Sequence, residues 1–297
     1  MNDRDDLDPP SRAVVAAVAL ALDEDTLPMG DLTAGLVGAS VRGTAYLRAR
    51  REGVIAGTAC ALEVVRQVDP RLVLDLDRFD GSDVTPGVTI GTLKGPFRSL
   101  LTAERSVLNF LSHLSGVATL TRRYVDAARA VNPHVRVLDT RKTTPGLRAL
   151  EKAAVRAGGG TNHRGSLSEG VLVKDNHLGE LSIESAVELA ARRWPGRMIE
   201  VECDRLDQVE RAASAGAGII LCDNMSPDLI VDAVKSVRRI AGRRCLVEVS
   251  GEVSLETIAE YAAAGPDFIS VGAITHSAPI LNLGLDLDLD LDLEREA

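Results

Sequence analysis

The chain has 297 residues, 45% of them hydrophobic and 26% charged, with Lys+Arg 34 against Asp+Glu 43 and a net charge of -9. That is enough chain to bury a full core, in one large α/β domain or two smaller ones. The acidic balance and an aromatic content of 3% argue against nucleic-acid binding, which needs a basic footprint and rings for base stacking. No apolar run reaches the roughly 20 residues of a membrane span. The N-terminal stretch MNDRDDLDPPSR lacks the basic segment and apolar run of a secretory signal. Cys60, Cys203, Cys222 and Cys245 show no metal-ligand spacing, as expected of buried apolar residues in a reducing cytoplasm.

In chain order, residues 11–22 (SRAVVAAVALAL) predict a helix with Ser11 as its cap, followed by the polar loop DEDTLPMGDLT. From Ser40 to Thr92 the texture is β-like (SVRGTAYLRAR, GVIAG, LVLDLD), with turns at Gly53, Gly81 and Pro86-Gly87 and a helix over GTACALEVVRQV. Ser99–Val131 carries helical periodicity and predicts two helices parted near Ser115-Gly116. Beyond Val131, short apolar strands at 136–140, 171–175, 198–202, 219–223, 245–250 and 268–272 alternate with helical segments. This pattern predicts a parallel sheet closed, or nearly closed, into an α/β barrel. An open doubly wound sheet is the alternative, but its G-x-G-x-x-G fingerprint is missing. The tail LNLGLDLDLDLDLEREA alternates Leu and Asp, which suits either an edge strand on the first domain or an unpaired end.

In such a barrel, chemistry sits at the C-terminal ends of the strands. Those positions carry Asp139, Arg141 and Lys142; Lys174 and Asp175; Glu202; Asp223 and Asn224; Ser250 and Gly251; Gly272, Thr275 and His276. Any one of them alone reads as a solvated loop residue. In phase with the strands, they predict one active mouth. Arg141, Lys142, His163, Arg164 and Lys174 suit phosphates or carboxylates. Glu202 and Asp223 need a divalent cation between themselves and an anion, and two carboxylates plus substrate phosphates suit Mg²⁺. A phosphorylated, Mg²⁺-carrying substrate with an anionic co-substrate meets both requirements. Thr144 and Pro145 predict the start of a helix whose N–H groups face an anion. Gly158–Gly160 end that helix, and Arg148, Lys152 and Arg156 form a solvated or subunit-facing stripe on it. A Schiff-base aldolase built on Lys174 is the competing class.

The motifs LLTAERSVLNFLSHLSGVAT, DTRKTTPGLRALEKAAVRAGGGTNHR, LVKDNH, IEVEC, IILCDNM, EVSG and SVGAITHS resemble, in order and spacing, the quinolinate phosphoribosyltransferase family, over roughly Leu20 to Leu285. The resemblance implies an N-terminal α/β sandwich domain (1–112, with 277–297 returning to it) and an incomplete seven-stranded α/β barrel (113–276). It further implies transfer of phosphoribosyl from PRPP to quinolinate with Mg²⁺. The products are nicotinate mononucleotide, pyrophosphate and CO₂, for NAD synthesis, and the enzyme is a homodimer with shared sites. By the same resemblance, Arg105 is lent by a neighbouring subunit to the quinolinate carboxylates, beside Arg141, His163 and Arg164. Lys142 and Lys174 lie near the reacting centre and the pyrophosphate, and Glu202 and Asp223 face the ribose and metal. Ser250, Gly251, Gly272 and His276 hold phosphates. Where family members often read S-G-G, this chain has Glu252, expected to point outward. A relative acting on another pyridine acid stays open within the fold.

Overall fold

In a computed structural model, residues 7–179 and 181–288 are described. Contacts group the chain into two units. The first takes in the chain up to Leu120, Thr144–Gly159 and the segment from Ser277; the second takes in Thr121–Thr143 and Gly160–His276.

The first unit opens with α1 (Ser11–Thr26). It also holds β1 (Arg42–Ala49), β2 (Gly53–Val54), α2 (Thr58–Val68), β3 (Val73–Leu76), β4 (Asp83–Val84) and β5 (Thr89–Pro96). Alternate residues of β1 are buried, as a strand with one covered face requires. Helix α1 runs four residues further than expected. The Pro10 carbonyl accepts its first bonds from Ala13 and Val14 N–H, so Ser11 stands inside the helix and makes no cap bond. Gly53 is paired with Val84 in a strand rather than placed in a turn.

Helix α3 (Phe97–Arg129) is one unbroken element of 33 residues, not the two expected. The small residues Ser115 and Gly116 serve packing instead of a break. Ser115 Oγ accepts from Ala56 N–H at 3.0 Å and donates back to its carbonyl. A Cβ on Gly116 would stand 2.2 Å from the Pro279 carbonyl oxygen, so this glycine admits the backbone of the returning chain. Gly116→Ala is expected to destabilise the protein by about 1–3 kcal/mol through overpacking, read as a fall of several degrees in the melting temperature. An unchanged melt would mean that 279–280 does not lie against this helix.

Helix α4 (Arg148–Ala157) begins three residues after the expected start. A turn from Thr144 to Leu147 precedes it, and the buried Glu151 takes the Thr144 N–H at 3.1 Å and His113 Nε2 at 2.8 Å. The chain's own carboxylate therefore occupies the place expected for an external anion. Two members of the basic stripe are not solvated: Lys152 is 7% exposed, and Arg156 donates to the carbonyls of Leu7 and Asp8, while Arg148 is half-buried.

The second unit holds β6 (Arg136–Leu138), β7 (Val171–Val173), α5 (Ile183–Arg193), β8 (Ile199–Cys203), α6 (Leu206–Ala215), β9 (Ile219–Asp223) and α7 (Pro227–Ala241). It ends with β10 (Leu246–Ser250), α8 (Ile258–Ala263), β11 (Phe268–Ser270) and α9 (Ala273–His276). The strands form one parallel sheet in the order β6-β11-β10-β9-β8-β7. All six strands expected from the sequence are present. The seventh position is a single parallel bridge from Thr161 to Leu138.

In the first unit, β12 (Leu283–Asp288) completes an antiparallel sheet in the order β12-β1-β5-β3. The Leu/Asp segment is thus an edge strand on β1 as far as Asp288, with Asp286 paired to Arg48 and Arg50. The remainder of the tail lies outside the described residues. Among the described residues no helix is long and apolar enough to cross a membrane. All four cysteines are free and buried, and burial pushes each thiol up, Cys60 to about 12 and Cys245 to about 11.

Candidate active site

Parallel strands running the same way deliver their C-terminal loops to one end of the sheet. There Arg141, Lys142, His163, Arg164, Lys174, Glu202, Asp223, Ser250 and Gly251 line one cavity of about 640 Å³. Gly272 and His276 stand beside Lys142: a Cβ on Gly272 would meet His276 Nε2 at 3.0 Å and Lys142 Cδ at 3.2 Å. Arg105 is exposed on α3, in the first unit, and does not line this cavity.

Each loop is held by bonds local to the unit. After β6, Thr140 Oγ1 accepts from Lys142 N–H at 3.0 Å, and the Lys142 carbonyl accepts from Thr275 Oγ1 at 2.7 Å. Thr275 therefore fixes the basic loop instead of facing a ligand. Asp139, fully buried, accepts from His163 N–H at 2.8 Å and from Asn162 Nδ2 at 2.6 Å. One buried carboxylate thereby draws the glycine-rich segment to the end of β6, so that Arg141–Lys142 and His163–Arg164 share one mouth. Arg164 donates to the Gly170 carbonyl at 3.0 Å. Burial and the neighbouring Arg141 lower its pKa, with Glu200 opposing them.

The ends of β9 and β10 interlock. Asn224, at φ 54, donates its N–H to the Ser250 carbonyl at 2.9 Å and its side-chain amide to Asp223 at 2.8 Å. Gly251 has φ 132, and a Cβ there would stand 2.4 Å from Asn224 Oδ1. Only glycine fits, and the exposed backbone of Ser250-Gly251 is left open to a close-approaching anion. Glu252 lines the cavity with them, contrary to the expectation that it points outward; the Gly251 turn carries it onto the rim. Lys174 forms an ion pair with Glu202.

Two glutamates inside the sheet were not expected. Glu200 and Glu248 are 4% and 0% exposed. They meet His163 Nε2 at 3.0 and 3.6 Å. Ser270 Oγ donates to Glu248. Burial, then the nearby Glu200, pushes the Glu248 carboxyl up to about 8, partly offset by His163 and the Ser270 bond. The available signal was the strand period: Glu200 lies two residues before Glu202 in IEVEC, so both face the interior.

Family models of the quinolinate phosphoribosyl transferase N-terminal and C-terminal domains match residues 31–115 and 117–286. The chain belongs to the quinolinate phosphoribosyltransferase family. It is 40% identical over 261 residues to a probable nicotinate-nucleotide pyrophosphorylase [carboxylating] of Archaeoglobus fulgidus, covering 87% of this chain and 98% of that one. A Mycobacterium leprae relative, named nicotinate-nucleotide pyrophosphorylase [carboxylating], is 41% identical over 271 residues, 89% of this chain and 94% of its own. The nicotinate-nucleotide pyrophosphorylase structure from Francisella tularensis superposes with a TM-score of 0.89 at 38% identity, covering 95% of this chain and 98% of that one. Both halves of this phosphoribosyltransferase chain, sheet domain and parallel α/β domain, are therefore accounted for by one family.

Proposed function

We infer that the chain is a quinolinate phosphoribosyltransferase, a carboxylating nicotinate-nucleotide pyrophosphorylase of NAD biosynthesis. It joins the ring nitrogen of quinolinate to C1 of the PRPP ribose, releasing pyrophosphate and then CO₂. The observation that carries this reading is a single cavity with both signs of charge: Arg141, Lys142, His163, Arg164 and Lys174 beside Glu202 and Asp223. A dicarboxylate and a polyphosphate are both anions, and only the second brings a cation for the carboxylates to hold.

The carboxylates of Glu202 and Asp223 and the Asn224 amide make an all-oxygen donor set at the rim. This suits a hard cation that keeps several waters and takes further oxygens from substrate phosphates. Mg²⁺ held there would neutralise charge on the leaving pyrophosphate. The chain's own residues do the rest. Arg141, Arg164 and His163 bind and orient the two quinolinate carboxylates, so that the ring nitrogen faces C1. Lys142 and Lys174 meet the negative charge that grows on the leaving group. The backbone at Ser250-Gly251 and the Gly272–His276 turn carries phosphate. Once the ring nitrogen is quaternary it stabilises the electron pair left on C2 as the 2-carboxylate departs as CO₂, and a proton from solvent then closes the C2–H bond, so loss of CO₂ demands no protein base.

Arg105, exposed on α3, serves the site of a second copy in a homodimer, and the four buried thiols suit a reducing cytoplasm. The test is an assay with PRPP, Mg²⁺ and either quinolinate or nicotinate. CO₂ released in step with pyrophosphate from quinolinate supports the reading. Turnover of nicotinate in preference, or pyrophosphate release without CO₂, overturns it.

A further inference from the structure

We propose that Glu252 limits how tightly the mouth holds phosphate, loosening its grip on the phosphorylated substrate and on the phosphorylated product alike. The inference rests on the quinolinate reading above and gives a role to a cavity residue that this reading leaves idle.

The backbone fixes where this carboxylate stands. Ser250 ends β10 in register with Asp223 at the end of β9. Asn224 ties the two ends together by donating its N–H to the Ser250 carbonyl, and its side chain fills the space that a Cβ on Gly251 would need. Directly after Glu252 the chain returns to the core at Val253, 6% exposed. Glu252 is therefore anchored on both sides. It is exposed, and it lines the same cavity as Ser250 and Gly251. Nearby charge does not offset its own. Lys174 is taken by Glu202 and Arg164 by the Gly170 carbonyl. Asp223 takes the Asn224 amide, and among the described residues neither Asp223 nor Glu252 forms an ion pair. Asp223 has a use as an oxygen donor for the cation that the polyphosphate brings. Glu252 sits instead beside the backbone turn that carries phosphate, where its charge opposes the ligand. The PRPP substrate and the mononucleotide product bear the same ribose phosphate. Grip on a group that reactant and product share adds nothing to the chemical step and delays release.

Glu252→Gln keeps the shape and removes the charge. The probe is ribose 5-phosphate, titrated calorimetrically into the natural chain and the variant without added metal. At low ionic strength the variant is expected to bind it about threefold to tenfold more tightly, the scale of like charges a few ångströms apart in water. At 1 M salt, where the Debye length is about 3 Å, the gain is expected to shrink below about twofold. Product inhibition by nicotinate mononucleotide is expected to tighten in parallel, while the KM for quinolinate, which carries no phosphate, stays within about twofold. Unchanged or weaker binding of ribose 5-phosphate by the variant overturns the proposal. So does a gain that persists undiminished at high salt, which marks a rearranged turn instead of a removed charge. Binding of Mn²⁺ to the protein alone, followed by electron paramagnetic resonance and lost in Glu252→Gln at unchanged phosphate affinity, also overturns it, because Glu252 would then be a metal ligand. If the natural chain fails to turn over quinolinate, the functional reading falls, and the ribose 5-phosphate titrations still decide what Glu252 does.

Discussion

Replacing Lys174 by Met is expected to lower kcat about 10²–10³-fold, the scale on which a single preorganised charge acts on a transition state. Two effects combine. The leaving pyrophosphate loses a cation, and Glu202 loses the ammonium it holds, so an extra negative charge faces the polyanionic substrate. Steady-state rates of CO₂ release at saturating PRPP and quinolinate check this. A variant that raised only the KM for PRPP at unchanged kcat would show that Lys174 binds the ground state and the transition state alike. Because Lys174 is only half-buried at a strand end, the variant is expected to melt within about 2 °C of the natural chain, a surface-sized effect.

Arg141→Ala is expected to separate the two substrates. Charge-assisted contacts contribute about 1.5–3 kcal/mol each, so quinolinate binding should weaken roughly tenfold to a hundredfold while PRPP binding survives. Arg141→Lys is expected to fall between, since an ammonium carries the charge without the planar fork that grips a carboxylate at two points. Isothermal titration with each substrate separately provides the measurement. Equal loss of both affinities would remove Arg141 from the dicarboxylate clamp and place it with the phosphates.

The barrel and its mouth were the most legible parts of the chain. Strands covered on both faces must be short and mostly apolar runs, and IILCD and FISVG read that way. The residue that ends each run is the first one free of the core, so charge recurring in that phase marks the mouth. What escaped the reading depended on distant partners. Ser115-Gly116 looks like a break until Ala56 and the Pro279 backbone are seen to need that space. Arg156 looks solvated until the carbonyls of Leu7 and Asp8 are seen to accept from it. Glu200 and Glu248 are charged residues where propensity expects an outward face. Their burial makes sense only with His163 brought between them by the Asp139 tether, a pairing across 37 residues in one case. Glu252 depended on the left-handed backbone at Gly251, which alternation along the strand does not anticipate.

The strand from Leu283 to Asp288 has a consequence for biosynthesis. It is the last described element, and it covers an edge of β1, whose other edge is paired with β5. On the ribosome, β1 and β5 emerge about 190 residues before their outermost neighbour. At roughly 5–20 residues per second, the nascent sheet waits about 10–40 s with that edge bare. An uncovered edge is a template for any passing strand. The chain is therefore expected to depend most on chaperones during that interval, and premature stop codons shortly before Leu283 should yield aggregates instead of a soluble first domain.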